Sequence, residues 1–274
     1  MANKGKYYES QFEEATIALL REAHWQYTFG DDIHRKYTDP LIEEDLRNFL
    51  ATQYKNKKLT VAEIDGIVAN LRNTGGQNDY YALRNAFLLY RDGYDFTYSD
   101  GRNNPFRLEY IDFEHPDHNI FRCVNQFVME QGRENRRPDI LLFINGIPVC
   151  IIELKNPTKQ NATIRDAHTQ ICIRYTRDIP TLLKYCALAV ISDGAKNALG
   201  TTYTPFEFFY EWKKIENEDK AGKGLDTLRT LIRGALSPER ILEILRDYVY
   251  FPDPVKEDDT TEIVCRYPQF FATR

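Results

Sequence analysis

The sequence of 274 residues lacks several features that would assign it to a simple class. It contains no run near the roughly 18 apolar residues that a membrane span requires. Residues 1–8 are polar and carry no apolar signal segment. The five cysteines form no CxxC pair, which disfavours a zinc ribbon or a disulfide framework. Reduced cysteines without a secretory signal predict a cytoplasmic protein that does not enter membranes.

The chain also lacks an excess of positive charge. Lys and Arg total 36 and Asp and Glu total 41, which gives a net charge of −5. Phosphate binding favours Lys and Arg, so this balance at first disfavours a nucleic-acid partner. The charge is uneven, however, because residues 131–184 hold nine basic and five acidic residues and the remainder is acidic. This distribution is compatible with a basic DNA-facing surface of weak, non-specific affinity.

The N-terminal part of the chain has the periodicity of helices. Apolar residues recur every three or four positions in residues 7–27, which predicts an amphipathic helix. A second helical pattern follows Asp39-Pro40, and a third begins at Thr60, where Glu63 completes a capping box. Residues 79–91 give a further predicted helix.

The period then changes to that of strands, and the turn Asn145-Gly146 is the strongest hairpin signal in the chain. Both arms of this hairpin are almost continuously apolar, which predicts a central position with both faces covered. The predicted strands are residues 106–113, 120–129, 138–145 and 147–154.

The second half of the chain predicts a crossover and trailing helices. A helix at 162–177 and a strand at 185–192 follow the hairpin, so strand, helix and strand form a parallel unit and the sheet is mixed. Residues 203–213 are aromatic and fit either a strand or a short helix. Helices are predicted at 225–234 and 238–248, which completes an α/β fold.

The residues that indicate chemistry lie at the open end of the hairpin. Asp139 begins one arm, and Glu153 and Lys155 end the other, so antiparallel pairing brings the carboxylates together. Glu153 and Lys155 are two apart and project from one face of a strand. Two carboxylates suit a hard cation such as Mg²⁺, with an ammonium beside it. Individually, such charges are also common as solvated strand ends.

These residues and their surroundings resemble the PD-(D/E)xK nuclease superfamily, and more closely the N-terminal nuclease region of type I restriction enzyme R subunits. The resemblance covers roughly residues 7–27 and 106–274. It implies a restriction-endonuclease-like mixed sheet flanked by helices, with a helical insertion. The matching stretches include Val124-Asn125-Gln126-Phe127, Arg137-Pro138-Asp139, Ile152-Glu153-Leu154-Lys155-Asn156-Pro157 and Val190-Ile191-Ser192-Asp193-Gly194.

The resemblance also implies roles for individual residues. Asp139 and Glu153 would hold Mg²⁺, and Lys155 would be the catalytic lysine. Superfamily members often add a carboxylate from the first helix, and Glu13 fits best, with Glu9 one turn earlier. The alternative for Glu13 is an ordinary exposed charge on a helix.

Four further side chains are candidates for contact with nucleic acid: Arg136, Arg137, Gln170 and Tyr175. The last two resemble a Gln-x-x-x-Tyr pair of type I subunits but are five residues apart rather than four. In an α-helix, a step of four separates side chains by about 40° and a step of five by about 140°. Either the helix bulges here, which would restore the alignment, or only one of the pair serves the site.

The end of the chain resembles the entry to a helicase-like motor. In Arg266-Tyr267-Pro268-Gln269, the glutamine corresponds to a residue that commonly contacts adenine. No GxxxxGK[ST] phosphate loop is present in the sequence. We therefore expect a fragment whose ATP-driven translocase is missing, so that ATP is a cofactor of the full-length subunit only.

The predicted organisation has four parts: residues 1–27 (first helix), 28–105 (mainly helical insertion), 106–215 (nuclease core) and 216–274 (helical linker). The leading hypothesis is a Mg²⁺-dependent endonuclease domain that cleaves double-stranded DNA non-specifically after translocation, with specificity and methyltransferase subunits as partners. The alternatives are a stand-alone repair or junction nuclease and a non-catalytic DNA-binding or assembly module.

Overall fold

A six-stranded mixed sheet lies at the centre of the computed structural model. The structure describes residues 3–155, 163–216, 223–252 and 260–273. The mixed α/β class and the helices on both sides of the sheet confirm the predicted architecture at this level.

The described strands and helices have the following bounds. In their order across the sheet, the six strands are β1 (Gln26–Phe29), β4 (Phe121–Asn125), β7 (Ile140–Ile144), β8 (Ile147–Leu154), β9 (Leu188–Ser192) and β10 (Asn197–Gly200). Three small two-stranded ribbons are formed by β2 (Tyr94–Phe96) with β3 (Phe106–Leu108), β5 (Met129–Gln131) with β6 (Glu134–Arg136), and β11 (Val249–Tyr250) with β12 (Ile263–Val264). The α-helices are α1 (Asn3–Glu22), α2 (Glu43–Gln53), α3 (Val61–Asn73), α4 (Asp79–Asp92), α5 (Ile164–Thr169), α6 (Thr176–Asp178), α7 (Pro180–Leu183), α8 (Leu225–Leu231), α9 (Pro238–Asp247) and α10 (Tyr267–Ala272).

The predicted hairpin forms the middle of the sheet. Every residue of β7 and β8 is buried, which confirms the expectation that both faces are covered. Asn145 and Gly146 adopt φ values of 50° and 78°, as a two-residue hairpin turn requires. A Cβ at Gly146 would lie 2.1 Å from the carbonyl oxygen of Ile42, so glycine is also needed for close packing.

The crossover after the hairpin is confirmed. Strand β9 pairs with β8 in parallel, and the chain between them passes through α5, α6 and α7. Strand β4 pairs with β7 antiparallel, so the sheet is mixed as predicted.

The edge of the sheet at β1 corrects the sequence prediction. The first helix ends at Glu22 instead of continuing to residue 27, and Gln26–Phe29 pairs with β4 in parallel. The chain leaves the helical conformation at His24, which has a φ of 71°, a value unfavourable inside a helix. The indole of Trp25 then anchors the new direction by donating a 2.7 Å hydrogen bond to the Leu236 carbonyl.

Several predicted strands are shorter than expected or divided. The region 106–113 contributes only Phe106–Leu108, and 120–129 divides into β4 and the start of β5. In 203–213 the regular element is a single helical turn, Phe206–Phe208. The short helix, one of the two predicted alternatives, is therefore present, and strand pairing is limited to a single antiparallel bridge between Tyr210 and Leu199.

Alternating residues of the hairpin pack into two hydrophobic clusters on opposite faces of the sheet. Ile140 and Leu142 pack with the cluster that includes α1–α4, α8 and α9, whereas Leu141 and Phe143 pack toward α5–α7. Full burial of such a side chain contributes roughly 1.5–3 kcal/mol. The core therefore fixes the register of the strands that carry the candidate site. None of the described helices combines the length and the apolar character needed to cross a membrane.

Candidate active site

The two predicted carboxylates meet at the open end of the hairpin. Pairing of Ile140 with Ile152 places Asp139 beside Glu153. Asp139 Oδ2 accepts a 2.8 Å hydrogen bond from the backbone N–H of Leu154. Only 1% of the Glu153 side chain is exposed to solvent, whereas 14% of the Lys155 side chain is exposed. The prediction that the strands bring these three residues together is confirmed.

The electrostatics of this pair favour a compensating positive charge. Burial and the neighbouring Asp139 raise the pKa of Glu153 well above its ordinary value, and Lys155 only partly offsets this effect. Two adjacent carboxylates in a buried site cannot both ionise without cost. A proton or a cation relieves that cost.

Lys155 belongs to a closed ring of hydrogen bonds. Its Nζ donates to Glu153 Oε1 at 2.8 Å and to Gln170 Oε1 at 2.6 Å. Gln170 Nε2 donates to the Tyr175 hydroxyl at 2.7 Å, and that hydroxyl donates to Glu153 Oε2 at 3.3 Å. Burial and Glu153 raise the pKa of Tyr175, so the phenol keeps its proton. The ring fixes the position of the ammonium group relative to Glu153.

The five-residue spacing of Gln170 and Tyr175 is accommodated by a π-helical turn. Residues Gln170–Tyr175 form this turn between α5 and α6, which confirms the bulge that the sequence left as one of two possibilities. A π-helix bonds residues five apart and so brings positions i and i+5 to one side. Both side chains consequently face Lys155 and Glu153.

Glu13 is held by two side-chain amides that the sequence reasoning did not assign to the site. Asn125 Nδ2 donates to Glu13 Oε1 at 2.6 Å, and Gln126 Nε2 lies 3.0 and 2.8 Å from the two oxygens. Tyr27 donates to Asn125 Oδ1 at 3.0 Å, which orients that amide. Gln126 has a φ of 54°, and its backbone N–H bonds to the Asp139 carbonyl at 3.2 Å. Asn125 and Gln126, here called the amide clamp, thus connect Glu13 to the strand start at Asp139.

The available sequence signal for the amide clamp was the stretch Val124-Asn125-Gln126-Phe127. Asn125, at the end of the largely buried strand β4, is 8% exposed. A polar residue in that position requires hydrogen-bond partners. The partners lie about 100 positions away in the chain, on α1 and β1, so local patterns do not reveal them.

The predicted nucleic-acid-binding arginines lie in different environments. Arg136 donates a 2.7 Å hydrogen bond to the buried carboxylate of Asp178 and also pairs with Glu134. Arg137 is exposed, and its side chain bonds to no residue of the described part of the chain. Arg137 is therefore the more accessible of the two.

Gln269 lies in α10, away from the hairpin's carboxylates in the sequence. Its Oε1 accepts a 2.8 Å hydrogen bond from the backbone N–H of Arg266, so the side chain caps this short helix. Gln269 is exposed, whereas its neighbour Phe270 packs against Trp212 with ring centroids 5.5 Å apart. The contact with adenine remains a prediction for the full-length protein.

The donor set at the hairpin fits a divalent cation. Asp139 and Glu153 present carboxylate oxygens, which are the ligands that Mg²⁺ prefers. Burial, followed by the neighbouring Asp139, raises the pKa of Glu153, and Lys155 only partly opposes this effect. Asp139 and Glu153 are the residues that could hold Mg²⁺. Glu13 is connected to this end of the hairpin through the amide clamp.

Comparison with known proteins gives a consistent family. A family model described as type I restriction enzyme R protein N terminus matches residues 6–208. The type I restriction enzyme HindI endonuclease subunit of Haemophilus influenzae is 28% identical over 96% of this chain and 26% of its own length. The putative type I restriction enzyme MjaIXP endonuclease subunit of Methanocaldococcus jannaschii is also 28% identical, over 96% of this chain and 27% of its own length.

A shorter alignment has higher identity. The type I restriction enzyme EcoprrI endonuclease subunit of Escherichia coli is 32% identical over 66% of this chain and 55% of that protein. The chain spans about a quarter of the length of the first two relatives.

Proposed function

The chain belongs to the family of type I restriction enzyme R protein N termini, and from this premise we propose that it is a Mg²⁺-dependent DNA endonuclease domain. Its site is the end of the β7–β8 hairpin, with Asp139 and Glu153 as metal ligands. The observation that carries the proposal is the pair of adjacent carboxylates with Lys155 held 2.8 Å from Glu153. We accordingly propose that the fold is of the PD-(D/E)xK type.

The bound cation would supply Lewis-acid stabilisation of the phosphate charge and would lower the pKa of a water molecule. The protein's own residues supply orientation. Two of the three ammonium hydrogens of Lys155 are directed at Glu153 and Gln170. We assign the third to an oxygen of the scissile phosphate, because an ammonium has three donors. In this position Lys155 stabilises the negative charge that develops during hydrolysis.

Gln170 and Tyr175 act in this scheme as positioning residues. Tyr175 is 3% exposed and stays protonated, so it holds Glu153 Oε2 without competing for the cation. Gln170 bridges the phenol and the ammonium. Together they limit the rotamers of Glu153 and Lys155, which is how a site is kept in productive geometry.

Glu13 is proposed as a third carboxylate of the site. The amide clamp neutralises none of its charge but fixes its direction through three hydrogen bonds. The backbone N–H of Gln126 also donates a 3.2 Å hydrogen bond to the Asp139 carbonyl, which links the clamp to the start of the hairpin. The clamp therefore positions Glu13 relative to the hairpin.

Double-stranded DNA is the proposed substrate, and Arg137 is the proposed contact to its backbone. In the complete subunit we propose that ATP-driven translocation brings DNA to the domain and that specificity and methyltransferase subunits choose the target. A non-catalytic module would not require the ring around Lys155. A stand-alone nuclease would share the site, but the relatives are named as restriction enzyme subunits.

Metal binding by this chain tests the proposed site directly. Titration calorimetry with Mn²⁺ should detect a site that is lost in Asp139→Asn and retained in Asp226→Asn, a matched change at an exposed carboxylate on α8. Equal Mn²⁺ affinity in the Asp139→Asn variant and the unaltered chain would reject Asp139 as a ligand.

A further inference from the structure

A second group of possible metal ligands lies at the other end of the hairpin. The loop from Asp112 to Asn119 precedes β4 and packs on the β7–β8 turn, where Asn145 Nδ2 donates to Asn119 Oδ1 at 2.8 Å. The turn is separated from Asp139 by the length of β7, at about 3.3 Å per residue. This loop is therefore distinct from the proposed nuclease site.

Asp112, His115 and His118 converge within this loop, and we call them the DHH cluster. Asp112 Oδ1 lies 3.4 Å from His115 Nδ1, and Asp112 Oδ2 lies 2.9 Å from His118 Nδ1. One ligand atom from each residue lies within 4.8 Å of the others. In tetrahedral zinc sites with bonds of about 2.0–2.2 Å, neighbouring ligand atoms are about 3.4 Å apart. The three ligand atoms lie within 4.8 Å of one another without any cation, and a bound cation would replace the 2.9 Å hydrogen bond between His118 and Asp112.

The carboxylate of the cluster is preorganised. Asp112 is 5% exposed, and its Oδ1 accepts the backbone N–H groups of Glu114 and His115 at 3.1 and 2.9 Å. Gln53 Nε2 from α2 donates to Oδ2 at 2.8 Å. In metal sites, hydrogen bonds of this kind orient the side chains that bind the metal directly.

The imidazoles form the open side of the cluster. His115 and His118 have 63% and 47% of their side chains exposed, and their rings stack with centroids 4.8 Å apart. Both Nδ1 atoms are directed at the same carboxylate. Ions can therefore reach the cluster from solvent, and water can occupy a fourth position.

We propose that the DHH cluster binds a transition-metal cation of the Zn²⁺ type through Asp112, His115 and His118. Two imidazoles and one carboxylate suit Zn²⁺ better than Mg²⁺, which prefers oxygen ligands. Because Asp112 is bonded to Gln53, the cation would tie the loop before β4 to helix α2. The site is structural and independent of the proposed nuclease chemistry.

The test measures Zn²⁺ affinity in the full chain after metal removal, by competition with a chromogenic chelator. All proteins carry Asp139→Asn and Glu153→Gln, so that the proposed nuclease site does not contribute. We expect one Zn²⁺ per chain, with affinity reduced at least about tenfold in His115→Gln and in His118→Gln. The exposed His34→Gln should not change it.

Two further readouts make the outcome decisive. Co²⁺ should give the visible absorption of a tetrahedral site in the parent and not in the histidine variants. Zn²⁺ should raise the unfolding temperature of the parent only, while the metal-free variants unfold at the parent's temperature. Absence of binding, or equal Zn²⁺ affinity in parent and variants, would overturn the proposal and leave the cluster as a hydrogen-bonded turn.

Discussion

Gln170 donates a 2.7 Å hydrogen bond to the hydroxyl of Tyr175, although the two residues are five positions apart. The oxygen of the same amide accepts a 2.6 Å hydrogen bond from the ammonium group of Lys155. The contact depends on the π-helical turn Gln170–Tyr175. It links the backbone geometry of one helix to the position of the proposed catalytic lysine.

Removal of the Gln170 amide should therefore impair catalysis more than folding. We expect Gln170→Ala to lower DNA cleavage by the assembled enzyme roughly 10- to 100-fold, because small displacements of catalytic groups have effects of this size. The unfolding temperature should change little, since Gln170 is only half-buried. Cleavage at the unaltered rate would show that Lys155 does not need this support.

Deletion of Ile173 tests the π-turn itself. This residue is 57% exposed, and its removal would place Gln170 and Tyr175 four apart, about 40° from each other on a regular α-helix. We expect the deletion variant to fold and to keep measurable cleavage. Deleting exposed Gly66 from α3 is the control, because it rotates the buried Ile67 and Val68 out of the core and should unfold the helix. Equal damage from both deletions would contradict the account.

The amide clamp predicts that one substitution weakens metal binding without lowering the stability of the fold. Gln126 has a φ of 54°, which glycine adopts without strain. Gln126→Gly should therefore leave the free energy of unfolding unchanged or slightly higher, while weakening Mn²⁺ affinity by loss of two bonds to Glu13. Calorimetry and thermal unfolding on one sample measure both. Unchanged Mn²⁺ affinity would show that Glu13 and the amide clamp do not contribute to the metal site.

Glu262 predicts a pH-dependent stability outside the proposed site. It is 2% exposed, and neither carboxylate oxygen has a hydrogen-bond partner within the described part of the chain. Burial raises its pKa well above the ordinary value. Its contribution to stability is therefore largest below the ordinary pKa of 4.5 and is lost as pH rises toward the raised value.

Replacement of this carboxylate should remove that loss. We expect Glu262→Gln to raise the free energy of unfolding at pH 8 by roughly 1–3 kcal/mol and to flatten its decline between pH 5 and pH 8. Glu207→Gln, at an exposed position, is the control. Denaturant unfolding at several pH values measures both, and parallel pH profiles for Glu262→Gln and the parent would refute the prediction.

The hairpin could be predicted from sequence because its signals are local. Asn145-Gly146 sets the turn, and apolar arms place Asp139, Glu153 and Lys155 at the open end. The edge strand β1 could not be read in the same way, since its pairing depends on β4, about 95 positions later. The clamp, likewise, joins Glu13 to Asn125 across 112 positions. Residues that meet only through tertiary packing give no periodic signal.

The helix after the hairpin could be predicted only in part from the sequence. The odd spacing of Gln170 and Tyr175 indicated either a bulge or a broken pair. Only the backbone could distinguish them, because both options use the same residues. The π-turn shows that the spacing carried real structural information.

The most direct measurement of the central claim compares DNA cleavage and ATP hydrolysis by the assembled restriction enzyme. Circular DNA carrying a target site would be incubated with Mg²⁺, ATP and subunits bearing Lys155→Ala, with the exposed Lys223→Ala as control. We predict that Lys155→Ala abolishes cleavage and leaves ATP hydrolysis largely intact, while Lys223→Ala changes neither. Cleavage by Lys155→Ala at the control rate would contradict the assignment of the hairpin as the nuclease site.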